Sequence, residues 1–212
     1  MISSVLRQEL ESAAQAYLAS QLGPRAPRAL HFAGLFDERP LDGEGRTALF
    51  TFRMESQSSL CGDVPHYVAV GETEANYFPA YGLDADAGYS FHVGTRFMLV
   101  MGIQLVDAAL EPPAARPALL ATLAQHAPGA AVQIDEMAAL LRCEDEYYAV
   151  YRIRVDGEPY MFVGAECPPG VYPAVQDRPP QAVLRLHLGQ LIRREARSQR
   201  EATGTAVDRV VP

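Results

Sequence analysis

The sequence predicts an α+β fold: a tandem duplication of a helix–three-strand antiparallel meander–helix unit, packed as a pseudo-dimer. Three observations carry this expectation. A set of motifs occurs twice in the same order. Tyr67-Val68-Ala69-Val70-Gly71, Tyr77-Phe78-Pro79-Ala80 and Phe91-His92-Val93-Gly94 return as Tyr160-Met161-Phe162-Val163-Gly164, Val171-Tyr172-Pro173-Ala174 and Leu186-His187-Leu188-Gly189, roughly ninety-five residues later. The apolar period also switches in each half between the helical repeat and the two-residue alternation of a half-buried strand. Finally, Asp156-Gly157 between two apolar runs is a strong hairpin signal. The expected units are 1–108 and 109–212.

The elements follow in order. Leu6, Leu10, Ala13 and Tyr17 recur at helical spacing, so the first helix spans Ser4 to Leu22 and stops at Gly23-Pro24. Strands are expected over Leu30 to Phe36, around Phe50, Phe52 and Met54, and over Tyr67 to Gly71. A Tyr/Pro/Gly loop then leads to a helix capped by Asp84 or Asp86. The segment Glu111-Pro112-Pro113-Ala114-Ala115-Arg116-Pro117 reads as a linker. In the second unit a helix covers Pro117 to His126. Strands follow near Ile134 to Cys143, Tyr147 to Val155 and Tyr160 to Gly164. A last helix runs from Pro180 to about Ala202, with the prolines suiting its first turn. The tail after about 203 lacks an amphipathic pattern and is expected to be disordered.

Composition limits the partners. The net charge of −8 disfavours a nucleic acid. Arg193, Arg194, Arg197 and Arg200 form one basic cluster near the chain end, where cations complement a helix dipole. No apolar run is long enough to span a membrane, and no basic segment precedes an apolar one at the N-terminus. A cytoplasmic location is therefore the expectation. Cys61, Cys143 and Cys167 are odd in number and include no Cys-x-x-Cys pair, which points to reduced thiols.

The candidate functional residues divide by chemistry. His92 and His187 recur beside Gly94 and Gly189. They are candidates for a metal or acid–base pair at the interface of the repeats, or for imidazoles that each hold a loop of their own half. Neither has a companion carboxylate or thiolate at ligand spacing, so no metal or cofactor is expected. Tyr77, Phe78 and Tyr172 read as loop aromatics that either anchor a partner or fold back on the core. The longest irregular insertion, Glu55 to Pro65, holds Cys61 with His66 just beyond. It is expected to contact a partner rather than to work as a thiolate–imidazole pair. The first expectation is thus a non-enzymatic protein-binding or regulatory protein, with homodimer formation open to it. The alternative is an enzyme or metal-binding protein using His92 and His187. In outline the helix–meander–helix plan is similar to small bacterial chaperone-like modules, the type III secretion chaperones and YbjN-type proteins. That resemblance implies chaperone-like binding, although those families carry further strands after the second helix.

Overall fold

The structure, a computed structural model, describes residues 4–41, 45–54, 64–72, 74–106, 111, 113, 115–143, 146–165, 168–175 and 178–207. The class is α+β. Four α-helices and a short 3-10 turn accompany two antiparallel sheets, one of four strands and one of five. Contacts divide the chain into two compact units, Met1–His92 with Ile192–Pro212, and Val93–Leu191.

The first unit opens with α1 (Ser4–Leu22), followed by β1 (His31–Phe36), β2 (Thr47–Met54), β3 (Val64–Val70) and β4 (Ala75–Pro79) in sheet order β1-β2-β3-β4. Helix α1 ends where expected, because Gly23 takes φ +56, which an L side chain rarely adopts. Its buried face, Ala14, Leu18 and Leu22, packs on Phe50, Phe52, Val68 and Val70. Each fully buried large apolar side chain there contributes roughly 2 kcal/mol. Strand alternation turns Leu49 and Tyr67 to the opposite face. There, Gly88 of α2 (Ala85–Val100) lies so close that a Cβ would stand 3.0 Å from the Tyr67 ring. Asp84 caps α2, its Oδ1 accepting the Ala87 N–H at 2.8 Å.

The second unit contains β5 (Gln104–Val106), α3 (Ala115–His126), β6 (Val132–Cys143), β7 (Glu146–Val155), β8 (Glu158–Ala165) and β9 (Gly170–Pro173), with sheet order β5-β6-β7-β8-β9. One face of this sheet packs Leu141, Val150 and Val163 against Val183, Leu184 and Leu188 of α4 (Pro180–Val207). The other packs Leu140, Tyr151 and Phe162 against Leu119 and Leu123 of α3. The β7–β8 turn is the Asp156-Gly157 hairpin, with φ of +52 and +86.

Two expectations need correction. Each meander has a fourth strand: Tyr77, Phe78 and Tyr172 lie in β4 and β9, not in loops. Pro79 and Pro173 misled because proline is poor in a sheet interior, yet here each ends an edge strand, where an N–H is dispensable. Gly71 donates to the Glu74 carbonyl at 2.8 Å, and β4 begins at Ala75. Helix α4 continues to Val207, past Ala202. Helices cover both faces of each sheet, because alternate residues of β2 and β7 are apolar on both sides.

Candidate functional site

Three arginines of α4, Arg193, Arg197 and Arg200, bond to other parts of the first unit. Because the helix runs on to Val207, its last turn contains no basic residue, and the cluster does not complement the dipole. Arg193 is instead 3% exposed within the first unit. Its guanidinium donates to both Glu38 oxygens at 2.6 and 2.8 Å, to Asp86 Oδ1 at 2.7 Å, and to the Asp86 carbonyl and Ser90 hydroxyl at 2.8 and 2.6 Å. Its plane lies 4.8 Å from the Tyr89 ring, itself stacked on Phe36 at 4.2 Å. Burial alone would raise the Glu38 carboxyl, but hydrogen bonds from Arg193 and Arg197 and their charges hold it below the usual carboxylate range. Arg197 completes the clamp at 2.6 Å from Glu38, and Arg200 donates to the Asp37 carbonyl.

Other cations of the same unit surround an open cleft of about 1110 Å³. One rim is the segment after α1. Pro24 enters a 3-10 turn, and Pro27 keeps Ala26 extended (φ −59, ψ 136), so the chain leaves as a stiff strap bearing Arg25 and Arg28. The facing rim is the end of β2, where alternation buries Phe52 and turns Arg53 outward. The third wall is the turn after β4. Tyr67 donates to the Leu83 carbonyl at 2.9 Å, and Ala80 donates to the Pro65 carbonyl at 2.9 Å. Burial and the nearby Asp84 charge raise the Tyr67 phenol, so it stays a neutral donor. Among the described residues the lining contains no carboxylate. Arg25, Arg28, Arg53 and His31 are all exposed, and among the described residues none of the three guanidiniums has an anionic partner. The cleft was not anticipated. Its sequence signal is residues 23–36, which hold two arginines and no Asp or Glu.

The residues singled out from sequence lie elsewhere. Phe78 is buried between Phe91 and Tyr67, with ring centroids at 4.7 and 5.9 Å. Tyr77 is half-buried beside Tyr17, Phe52 and His66. His66 is buried, stacks on Phe52 at 5.4 Å, and its Nδ1 donates to the Val64 carbonyl at 2.9 Å. Cys61 and most of the 55–65 insertion lie outside the described residues. His92 and His187 are both buried, each bonded within its own unit: His92 Nδ1 to Asn76 Oδ1 at 2.8 Å, and His187 Nε2 to the Pro168 carbonyl at 2.9 Å. Among the described residues no cluster of three or more His, Cys, Asp or Glu side chains is placed to hold a metal ion.

His187 also meets the half-buried Tyr172, whose hydroxyl stands 2.7 Å from Nδ1 and 2.8 Å from Gln190 Oε1. Burial pushes its imidazole down to about 4, against a smaller upward pull from the Pro168 carbonyl. Above pH 6.5 the ring is neutral folded or unfolded, so nothing is lost. Between 6.5 and about 4 the unfolded chain takes up the proton first, so stability falls on acidification, by roughly 3 kcal/mol in all. An NMR titration of the His187 ring should give a midpoint near 4, and His187→Gln should flatten acid sensitivity across that window. A midpoint near the ordinary value would refute this.

No family model matches the chain, and no curated protein or solved structure does. Among the described residues no helix is long and apolar enough to cross a membrane.

Proposed function

We propose that the chain is a non-enzymatic, chaperone-like protein of the bacterial cytoplasm that binds or regulates another protein. The observation that carries this is the contrast between two sets of arginines in one unit. Arg193 is buried and saturated by two carboxylates, whereas Arg25, Arg28 and Arg53, which line an open cleft, have no anionic partner among the described residues. An unpaired cation at a concave surface is ready for a partner's anion, since little has to be broken before binding. Each buried histidine already commits at least one ring nitrogen to a neighbouring group, and His187 commits both, which favours binding over acid–base chemistry.

The unit itself is proposed to be a duplicated one, so that a single chain does what a dimer of the ancestral unit would do. Strand registers support this. In the first sheet Ala80 donates to the Pro65 carbonyl while His66 pairs with Pro79 and Tyr67 with Phe78. In the second, Ala174 donates to the Pro159 carbonyl while Tyr160 pairs with Pro173 and Met161 with Tyr172. This register matches Tyr67 to Met161, one residue away from the alignment of the Tyr motifs.

The test is affinity capture by the tagged full chain from its native cytosol, with quantification of what is retained. A defined protein recovered in stoichiometric amount is the expected result. A chain that returns alone and turns over a small molecule in a substrate screen would replace this reading with an enzymatic one.

A further inference from the structure

We infer that the cleft bordered by Arg25, Arg28 and Arg53 binds an extended acidic peptide segment of a partner protein, one in which Asp or Glu alternates with apolar side chains. The inference rests on the protein-binding reading and specifies the chemistry of the bound segment.

Charge comes first. Three arginines from two different chain segments line one concavity whose described lining includes no Asp or Glu. Unpaired arginine forks match carboxylates bidentately, a geometry that lysine does not offer. The chain as a whole is acidic, so this local reversal of sign is a specific feature rather than part of a generally basic surface.

Shape and lining then choose among anionic ligands. The cleft is open to solvent, and its volume of about 1110 Å³ lies beyond the range of roughly 300–1,000 Å³ usual for enclosed small-molecule sites. Between the cations the surface is apolar, supplied by Pro24, Pro27, Met54 and Pro65. Such alternation of cation and apolar patch fits a chain that offers a carboxylate and then a hydrophobe, as a strand does with its period of two. A nucleic acid would want a platform of exposed rings on which to stack bases, but of the rings in the described lining Phe52 and Tyr67 are 2% and 5% exposed, which leaves the His31 imidazole alone. The phosphate backbone would also meet the whole protein's negative field at high charge density.

The experiment is fluorescence anisotropy of the full chain with a labelled short peptide alternating Glu and Leu. Control probes are the same peptide with Gln for Glu and a single-stranded oligonucleotide. Binding of the Glu peptide, weakening with salt and lost by about tenfold or more in R25E/R28E/R53E, is the expected result. The charge-reversal variant alters exposed side chains that have no anionic partner among the described residues, and an unchanged thermal midpoint verifies that it folds. R152E/R154E, which removes two exposed, ion-paired arginines of the other unit, should bind as the wild type does. Equal affinity for the Gln peptide, tighter binding of the oligonucleotide, or no binding of any probe overturns the inference. So does sedimentation showing a homodimer that the triple variant dissolves, because the occupant is then a second copy. If the triple variant captures the same cytosolic partner as the wild type, protein binding stands and the acidic peptide at this cleft falls.

Discussion

Gly94→Ala is expected to destabilise the protein by about 3 kcal/mol or more, and to leave it unfolded if its margin is small. The sign is what makes the result informative. In an exposed helix interior the same substitution stabilises by roughly 1 kcal/mol, since Ala loses less backbone entropy than Gly. At Gly94 an added Cβ would collide with the Arg185 carbonyl oxygen and stand 2.9 Å from the Gly189 amide nitrogen. Both obstacles are backbone, so no rotamer change relieves them. The backbone of α4 therefore passes α2 where Gly94 leaves no room for a side chain. Urea unfolding of Gly94→Ala beside Gly102→Ala gives the measurement. Gly102 has φ +61 but open space around it, so its cost is conformational alone and should be smaller. A Gly94→Ala midpoint at or above that of the wild type would disprove the close crossing.

Arg193→Met should cost about 3 kcal/mol, near the low end for breaking a buried pair. The low end applies because Glu38 is 21% and Asp86 69% exposed, so both carboxylates can recover some water once the guanidinium is gone. Arg193→Lys should recover little of the loss. An ammonium cannot reach both Glu38 oxygens in one plane while lying flat over Tyr89. Glu38 is held below its unfolded value, so its contribution is present above the ordinary carboxylate range and disappears as pH falls through the folded value. The gap between wild type and Arg193→Met should accordingly shrink in acid. Denaturant titrations at neutral and acid pH measure it, and a gap that does not depend on pH would assign the loss to packing rather than to charge.

The parts of this architecture that were legible in the sequence are those governed by local physics. Helix α1 is legible because its apolar stripe ends at a glycine forced to positive φ and a proline that cannot continue. The Asp156-Gly157 hairpin is legible because that turn demands positive φ at both positions. What was missed depends on partners distant in sequence. Strands β4 and β9 are short and carry proline, and only pairing with β3 and β8 makes them strands. The role of Arg193 depends on Glu38, 155 residues away, a separation that no periodicity encodes. The cleft is similar: Arg25 and Arg28 look like ordinary loop cations until β2 brings Arg53 to the same lining. The histidine pair drew attention because it recurs; the hydrogen bonds that His92 and His187 make to Asn76 and to the Pro168 carbonyl depend on loop and strand pairings that the recurrence does not encode.

The boundary between the compact units does not fall in a loop. It passes through α2 after His92 and through α4 before Ile192, so each helix begins in one unit and ends in the other. Cleavage anywhere between residues 92 and 192 would strip the leading portion of its closing helical turns, and the trailing portion of its opening ones. The first unit thus draws on residues from both sides of the second, whereas the second is one continuous stretch, Val93–Leu191.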